Sequence, residues 1–355
     1  MSEAVRYEAT SLATFVEAAF HAIGADAATA SAATRAMMHA SRLGVDSHGV
    51  RLLPHYLKVL NGGRVNKTPA LRVERTAKAT AVLHADDAIG HLASYRAMEE
   101  AVAIARDSGI GAVAIRRQSH MGAAGAYAYW AAEQGMIGFL TANSDAFVRL
   151  HDGRDAFHGT SPIAWAAPVP GEKPWLLDMA TSAIPFNRVL LYRSLGRTLP
   201  DNVAVDDQGR TTTDPHLATV LSPLGGDYGY KGAALAGLAE ILSATLTGMK
   251  LSTEIYPMNG EDVSTPRQMG GFALAIDPGA FILRETYGRI ITTDMANLRP
   301  AAAAADAPGI PMAPGTREWA VEAGRLENGI PVDPDTVRSF HETAAAHGLT
   351  PPVAL

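Results

Sequence analysis

The stretch ASRLGVDSHGVRLLPHY, residues 40–56, interrupts a helical pattern with a polar, titratable pair, Ser47 and His48. A short connection between two apolar-periodic segments can expose its side chains to a cleft while rigid helices hold it. Imidazole titrates near neutrality, so a histidine held there suits proton donation to a carbonyl that is reduced at physiological pH. The same residues also allow a structural interpretation, because Asp46 or Ser47 can cap a helix that begins near Val50.

Outward from this stretch, the hydrophobic periodicity predicts helices first and then an alternation of strands and helices. Residues 11–60 have the pattern of three successive helices. Further along, we predict strands at 79–86, 111–117, 136–142 and 271–277 and helices at 91–107, 124–134, 231–248, 317–327 and 334–346. Residues 162–168 and 174–178 flank a Pro-Gly pair and are typical of a hairpin, which implies antiparallel pairing.

The chain carries no fingerprint of an ordinary dinucleotide-binding fold. A Rossmann unit needs G-x-G-x-x-G between a strand and a helix, so that backbone amides can approach a pyrophosphate. The nearest glycine runs, GAAG at 122–125 and GGDYGYKG at 225–232, have the wrong spacing. The second run also fails the phosphate-loop pattern. The sequence therefore predicts a mixed α/β fold without a Rossmann unit.

Composition limits the classes of partner. At 355 residues the chain exceeds the usual size of a single-core domain, which predicts two packed units or one large unit with a helical addition. Apolar residues make up 47% and charged residues 19%, below the usual quarter, so the polar surface is reduced and a homo-oligomer is favoured. A formal net charge of −6 without a basic block argues against nucleic acid and anionic membranes, which leaves small-molecule partners.

The absence of cysteine excludes disulfides, thiolate nucleophiles and thiolate zinc sites. Redox chemistry would therefore require a dissociable cofactor. The N-terminal residues lack a basic region followed by an apolar run, and no window approaches 18 uninterrupted apolar residues. We expect a cytoplasmic protein.

Four further segments accompany the first: QSHMGAAGAYAYW at 118–130, FHGTSP at 157–162, LDMATS at 177–182 and GYKG at 229–232. In this order and spacing the five motifs resemble the type 2 malate/L-lactate dehydrogenase family. That family also includes ureidoglycolate dehydrogenase, 2,3-diketogulonate reductase, sulfolactate dehydrogenase and reductases of cyclic imino acids. The similarity runs from about residue 10 to about residue 330.

The resemblance implies a fold and an assembly. Members bind the dinucleotide on a large mixed, mainly antiparallel sheet with helices, and a helical domain is built from both termini. Carried over to this chain, residues 1–70 and 310–355 form the helical domain and residues 71–309 the nucleotide-binding domain. In the family the active site lies near a subunit interface, which implies a homodimer or a higher homo-oligomer.

The resemblance also implies catalytic roles. Some members give the acid/base role to the histidine that matches His48, and others to the one that matches His120. We place His48, positioned by Ser47, ahead as the proton donor and His120 beside the nicotinamide or substrate. Many members have an arginine four residues after the first histidine, where this chain has Leu52. We expect Arg51, one position earlier, to bind the substrate carboxylate, although the helical rotation of about 100° between neighbours puts its direction in question.

The remaining motifs predict a dinucleotide site. A phosphate needs backbone donors, hydroxyls and a cation, and a ribose hydroxyl needs an acceptor such as the carboxylate of Asp178. The family usually has Asn where Ser161 stands and Glu where Thr316 stands. Taken singly, each residue has an ordinary interpretation as a turn, a cap or a surface lysine. The predicted cofactor-binding residues are Asn143, Gly159, Thr160, Ser161, Pro162, Asp178, Met179, Ala180, Thr181, Lys231, Gly232, Pro314, Gly315 and Arg317.

Together these features predict an oxidoreductase that uses NAD or NADP and interconverts a small 2-oxo acid and its 2-hydroxy acid. One alternative within the family is a reductase of a cyclic 2-imino acid, such as piperideine- or pyrroline-2-carboxylate. A more distant alternative is a hydrolase that uses Ser47 with a histidine base, although G-x-S-x-G is missing. No metal site is predicted, because the histidines and carboxylates match no ligand spacing.

Overall fold

A computed structural model describes residues 5–194, 196–298, 301, 303–306 and 309–355. Within these ranges the helices are α1 (Ala9–Ala22), α2 (Ala27–Arg42), α3 (Leu53–Asn61), α4 (Gly90–Ser108), α5 (Gly125–Glu133), α6 (Phe186–Ser194), α7 (Tyr230–Glu240), α8 (Arg284–Leu298), α9 (Thr316–Asn328) and α10 (Pro334–His347). The strands are β1 (Val5–Tyr7), β2 (Arg72–Ala77), β3 (Thr80–Ala88), β4 (Ile110–Gln118), β5 (Ile137–Ala142), β6 (Val148–Arg149), β7 (Ala156–His158), β8 (Ile163–Ala167), β9 (Trp175–Met179), β10 (Ala204–Val205), β11 (Val220–Leu221), β12 (Met269–Ile276) and β13 (Ile330–Val332).

The largest sheet has seven strands in the order β2-β3-β4-β12-β5-β8-β9. Strands β3 and β4 are parallel and are joined by α4, whereas the other neighbouring pairs in this sheet are antiparallel. The predicted hairpin is confirmed as β8–β9, in which Ala167 lies opposite Trp175. A smaller sheet has the strand order β10-β11-β6-β7, and its strands lie between β5 and β12 in the sequence. The predicted mixed, mainly antiparallel, non-Rossmann fold is confirmed.

Two strand glycines allow helices to approach the main sheet closely. A Cβ atom at Gly111 of β4 would lie 2.0 Å from the carbonyl oxygen of Ala101 on α4. A Cβ atom at Gly138 of β5 would lie 2.6 Å from the Cβ atom of Ala131 on α5. Because side chains at either glycine would collide with these helices, the small residues set the distance between helix and sheet.

A second core joins the two ends of the chain. Strand β1 pairs antiparallel with β13, and α1 contacts α10. The ring of Phe340, 1% exposed, lies 5.3 Å from that of Phe15 and 6.4 Å from that of Tyr7. Burial of these rings holds N- and C-terminal segments in one apolar cluster. The division of the chain at residues 70 and 310 stays a prediction.

The junction between α2 and α3 carries the Ser47–His48 pair. Two 3₁₀ turns, Asp46–His48 and Val50–Leu52, lead into α3. The hydroxyl of Ser41 on α2 accepts a hydrogen bond of 2.9 Å from the Val50 amide. Neither Asp46 nor Ser47 provides a side-chain cap for these turns or for α3, so the capping interpretation of these two residues is wrong.

No helix in the described part of the chain is both long and apolar enough to cross a membrane.

Phe340→Ala should lower the free energy of unfolding by about 3–5 kcal/mol, because it removes a buried aromatic ring and leaves a cavity between α1 and α10. Chemical denaturation measures this change. The matched control is His341→Ala at the exposed neighbouring position, which should stay within about 0.5 kcal/mol of the wild type. A loss below about 1 kcal/mol for Phe340→Ala would contradict the shared core of the two chain ends.

Candidate active site

His48 is fixed by its neighbour and by the turn that carries it. The Ser47 hydroxyl and His48 Nδ1 are 2.8 Å apart and share a hydrogen bond. A Cβ atom at Gly49 would lie 2.2 Å from the Ser41 hydroxyl, so only glycine lets the turn lie this close to α2. His48 retains some solvent contact, and desolvation lowers its pKa to about 4. Its imidazole is therefore neutral at physiological pH and able to accept a proton.

His120 follows β4 and is held by Tyr56 of α3. The Tyr56 hydroxyl lies 2.7 Å from His120 Nδ1, and the amide of Gly122 donates to the same nitrogen at 3.4 Å. An amide can only donate, and burial raises the pKa of Tyr56 so that its phenol stays protonated. His120 Nδ1 is consequently an acceptor, and the ring proton lies on Nε2 as a donor.

The two histidines form a pair. Their ring centroids are 5.7 Å apart and their planes are 25° from parallel. Desolvation is the main cause that lowers the pKa of His120 well below 6.5, followed by electrostatic interaction with His48 and with the charged Arg267. Two neutral imidazoles at this distance can offer a proton acceptor and a proton donor to one substrate oxygen.

His91 lies behind this pair, at the start of α4. Its ring centroid is 4.7 Å from that of Tyr56 in an edge-to-face arrangement. It is 0% exposed, and neither ring nitrogen forms a hydrogen bond with a described protein group. Burial lowers its pKa to about 3, followed by the effect of His48. The ring is therefore a neutral, buried support for Tyr56.

No hydrogen bond in the described part of the chain joins Arg51 to His48 or His120. The side chain of Arg51 is exposed, and it forms no hydrogen bond or ion pair with the residues that the structure describes. Leu52, which stands where the family has arginine, is partly buried against the apolar cluster of the chain ends. The role of Arg51 in binding a carboxylate stays a prediction.

The two turns predicted to hold the dinucleotide are joined to each other. The Thr181 amide and hydroxyl both donate to the Thr160 carbonyl, at 2.9 and 3.1 Å. Ser161 is fully buried with a φ of +38°, in the left-handed region where Asn is favoured over most side chains. This explains why Asn suits the position of Ser161. The neighbouring carbonyl of Pro162 accepts a hydrogen bond of 2.8 Å from the Thr141 hydroxyl.

Gly159 brings this turn close to the loop after β5. A Cβ atom there would lie 2.2 Å from the Ser144 hydroxyl, which accepts a hydrogen bond of 3.3 Å from the Thr160 amide. Asn143, 1% exposed, donates to the Lys250 carbonyl at 2.8 Å and accepts from the Gly270 amide at 3.3 Å. The Asn143 amide group is thus engaged with backbone.

Asp178 links the segment that follows His120 to the predicted nucleotide motifs. It lies near the end of β9, and its Oδ2 accepts a hydrogen bond of 2.9 Å from the Gly125 amide at the start of α5. The side chain is exposed, and desolvation by the surrounding protein raises its pKa to about 6. Met179 ends β9 and is followed by Ala180. Asp178 thereby connects the segment of His120 to the LDMATS turn.

Lys231 is an exposed cation at the start of α7. Its Nζ lies 5.2 Å from the Tyr228 ring centroid and 6.0 Å from that of Tyr230, and it forms no ion pair with a described residue. A Cβ atom at Gly232 would lie 2.3 Å from the Leu224 carbonyl oxygen, so glycine lets α7 lie against this loop. Lys231 remains available to an anionic group.

The late motif lies beside β9. The Pro314 carbonyl accepts a hydrogen bond of 3.4 Å from the Leu176 amide. Gly315 has a φ of +91°, and a Cβ atom there would lie 2.7 Å from the Trp319 ring nitrogen. Arg317 is exposed on the first turn of α9. The motif therefore contacts β9 two residues before Asp178.

Sequence reasoning missed Tyr56, His55, His91 and Arg267. Tyr56 lies within the first motif, eight residues after His48, and helical spacing alone was a usable signal for it. His91 and Arg267 are isolated in the sequence: His91 is placed by α4 and Arg267 by the start of β12. Among the described residues, no group of three His, Asp or Glu side chains is arranged to hold a metal ion.

Comparison with known proteins identifies the family. The family model described as malate/L-lactate dehydrogenase matches residues 7–341. The chain belongs to this family. It is 34% identical over 313 residues to a malate dehydrogenase of Pyrococcus horikoshii, which covers 86% of this chain and 85% of the relative. It is 33% identical over 262 residues to the ureidoglycolate dehydrogenase (NAD(+)) of Escherichia coli O157:H7, which covers 74% of each.

A solved structure agrees with the sequence relatives. The structure of malate dehydrogenase from Pyrococcus horikoshii OT3 has a TM-score of 0.89 and 29% identity, and covers 99% of this chain and 98% of that one. The predicted family and the predicted NAD(P)-dependent dehydrogenase or reductase are confirmed. The cofactor is a nicotinamide dinucleotide, and the activity is of the 2-hydroxy acid dehydrogenase type.

His91→Leu should reduce the dependence of stability on pH. The pKa of His91 is lowered from its ordinary 6.5 to about 3 in the fold, so below pH 6.5 the unfolded chain binds a proton that the folded one does not. Stability is therefore lost as pH falls from 6.5 towards 3, by up to about 1.4 kcal/mol per pH unit for one group. Unfolding free energies measured between pH 7.5 and 5 should fall less steeply in the variant.

The exposed His341→Leu change is the control and should preserve the wild-type slope. Since neither His91 nitrogen is hydrogen-bonded, His91→Leu should also keep its stability at pH 7.5. An unaltered slope in His91→Leu would contradict a neutral, buried His91.

Proposed function

We propose that the chain interconverts a small 2-hydroxy acid and its 2-oxo acid, with NAD or NADP as the carrier of the hydride. The observation that carries the proposal is the pair of neutral histidines, His48 and His120, linked through residues 120–125 to Asp178 and the paired turns of Thr160 and Thr181. An acid/base pair next to a phosphate- and ribose-binding surface is what such a reaction requires.

The proposed cofactor contacts follow from the donors and acceptors that the turns provide. The Thr160 amide already donates to the Ser144 hydroxyl, so the Thr160 hydroxyl is the proposed donor to a phosphate, and Lys231 supplies a cation without a carboxylate partner among the described residues. The Oδ1 atom of Asp178 would accept a hydrogen bond from a ribose hydroxyl while its Oδ2 atom accepts from the Gly125 amide. Pro314, Gly315 and Arg317 would flank the nucleotide beside β9.

The proposed proton acceptor is His48. In the oxidation direction the neutral ring takes the proton of the substrate hydroxyl, and Ser47 holds the ring through Nδ1. His120 donates from Nε2 to the same oxygen and fixes its position. In the reduction direction His48 must first be protonated, so the pKa of about 4 predicts that reduction speeds up as pH falls towards that value.

His48→Ala should lower kcat by roughly 10²–10⁴-fold, the usual contribution of a positioned acid or base, while the Kd for reduced cofactor changes little. Steady-state kinetics and a cofactor titration by fluorescence measure the two effects. Tyr56→Phe is the matched test of His120, because it removes only the hydroxyl that holds Nδ1. Near wild-type turnover in His48→Ala, together with its loss in His120→Ala, would reverse the order of the two histidines.

Reduced cofactor should raise the melting temperature, because a ligand that binds only the folded state stabilises it by mass action. Melts with NADH and NADPH at millimolar concentration also decide between the two. Lys231→Ala should diminish the shift, since it removes the cation proposed for a phosphate, whereas Lys58→Ala, an exposed lysine of α3, should preserve it. Absence of a shift with both dinucleotides would exclude the proposed function.

The substrate class has a second candidate within the family, a cyclic 2-imino acid such as pyrroline-2-carboxylate. It shares the carboxylate next to the reacting carbon and differs in the heteroatom that exchanges a proton with His48. A hydrogen bond between a serine hydroxyl and a histidine ring, such as the one between Ser47 and His48, is also a feature of serine hydrolases. Turnover assays with and without cofactor separate the hydrolase from both oxidoreductases.

We also propose a homodimer. Exposed apolar side chains follow one another along α7 and the π-helical turn Ile241–Thr245, where a soluble monomer would bear polar residues. They include Tyr230 at 54%, Leu238 at 49% and Ile241 at 56% exposure. Lys231 lies on the same helix, so a partner on this face would border the proposed cofactor site.

A further inference from the structure

The proposed substrate has a carboxylate. The arginine that many family members use at the position of Leu52 is missing, and Arg51 stands one residue earlier. Leu52 is apolar and partly buried, and Arg51 points its charge to an exposed position without a described partner. A carboxylate bound next to two neutral histidines needs compensation, because its transfer from water is costly without a cation or several donors. Two other arginines of the described chain, Arg64 and Arg267, are buried near His55.

Of the two, Arg267 lies at the edge of the main sheet where β4 ends, two residues before His120. Strand β12 pairs antiparallel with β4, and its first residue, Met269, lies opposite Gln118. Arg267 precedes Met269 by two residues and His120 follows Gln118 by two residues, so both lie just beyond this end of the strand pair. On its other side β12 pairs with β5, after which the chain continues to Asp145. Three strands thus end at one edge with Arg267 in the middle.

Arg267 is held rigidly and keeps part of its guanidinium free. It is 3% exposed, its Nη2 forms an ion pair with Asp145, and its Nε donates to the Tyr256 carbonyl at 2.8 Å. Asp145 is in turn held by the Met258 amide at 3.0 Å. Nη1 has no hydrogen-bond partner among the described residues and is not one of the fully enclosed, unpaired atoms. One edge of the guanidinium therefore remains available to a further acceptor.

The neighbouring buried arginine is used differently. Arg64 donates to the carbonyls of Pro257, Met258 and Asp262 and so holds the loop that precedes Arg267. Both terminal nitrogens of Arg64 donate within this loop, whereas Nη1 of Arg267 has no described partner, which makes Arg267 the better candidate to bind a carboxylate.

His55 directly precedes Tyr56 in α3 and interacts electrostatically with Arg267. It is partly exposed and forms no hydrogen bond with a described residue. Desolvation is the main cause that lowers the pKa of His55 and of His120, and the positive charge of Arg267 lowers both further, with Arg64 also acting on His55. Together these causes take the pKa of His55 to about 4, which leaves the ring neutral with one N–H to donate.

We infer that Arg267, with His55 as a second donor, binds the carboxylate of the substrate. The inference rests on the proposed function and specifies how that function recognises an acid. Arg267 supplies the charge through Nη1, and His55 supplies a neutral hydrogen bond from α3. Since Asp145 and the Tyr256 carbonyl fix the other nitrogens, the guanidinium is preorganised for one oxygen of the carboxylate.

The test compares an acid with its neutral amide. Among pyruvate, 2-oxobutyrate and oxaloacetate, the acid that the wild type reduces fastest is assayed beside the corresponding amide. Arg267→Met should lower the ratio of kcat/KM for acid over amide by about 10- to 100-fold, the usual weight of a hydrogen bond to a charged group. The loss should appear mainly in KM for the acid. Arg267→Lys should lose less, because it keeps the charge without the planar fork.

Arg64→Met is the matched control, since it weakens the same loop from another buried arginine. It should lower the rates for acid and amide together and keep their ratio. An acid preference that survives in Arg267→Met overturns the inference, and a preference lost in Arg51→Leu instead assigns the carboxylate to Arg51. If Arg267→Met fails to fold, His55→Ala decides: an unchanged ratio there sinks the inference, and a several-fold drop supports it.

The proposed function and this inference fail in different ways. A wild-type protein that is not stabilised by NADH or NADPH and reduces neither acid nor amide removes the proposed function. A wild-type protein that reduces the acid, and an Arg267→Met variant that binds the same cofactor and keeps the acid preference, removes only the assignment of Arg267.

Discussion

The candidate site depends on the insertion of β12 between β4 and β5. These two strands are neighbours in the sequence and are linked by α5, yet each pairs antiparallel with β12. The side chain of Gln118 donates to the Gly270 carbonyl at 3.0 Å, and the Gly270 amide donates to Asn143 at 3.3 Å. This bridge fixes the ends of three strands to one another. His120, Arg267 and the loop after β5 consequently meet at one edge.

The second constraint is the burial of several imidazoles in one place. Desolvation lowers the pKa of His48, His55, His91 and His120, which keeps each ring uncharged near neutral pH. Rings that were charged would repel one another at the 5.7 Å between His48 and His120. Neutrality lets two rings act on one substrate atom, and it makes the fold sensitive to acid. The burial that suits these histidines to the proposed reaction therefore lowers the stability of the fold in acid.

Local features of the fold were predictable from sequence and non-local ones were not. The strands of the main sheet with clear apolar runs and the hairpin β8–β9 were located to within a few residues, because period and turn residues act locally. The pairing of β1 with β13 joins short segments from opposite ends of the chain, and no local pattern indicates it. The position of β12 within the sheet is likewise invisible in the sequence of β12 itself.

The same distinction applies to the site. Ser47, His48 and the turns around Thr160 and Thr181 lie in short motifs whose spacing is visible. Arg267 and His91 are single residues whose partners lie far along the chain, so neither stood out. The capping interpretation of Asp46 and Ser47 was wrong because Ser41, on the preceding helix, accepts the Val50 amide. The Val50 amide is thus satisfied by a residue of the preceding helix and not by a cap from its immediate neighbours.

Moving the cation from the turn before α3 to the loop before β12 changes what controls recognition of the substrate. An arginine at position 52 would be placed by the 3₁₀ turn Val50–Leu52, which leads directly into α3. Arg267 is instead placed by Asp145 and by the Tyr256 carbonyl, on a loop that Arg64 fastens through backbone carbonyls. Such a loop can change in sequence without disturbing the sheet or the histidine pair. Substrate choice can therefore diverge at the end of β12 while the acid/base groups stay where α3 and β4 hold them.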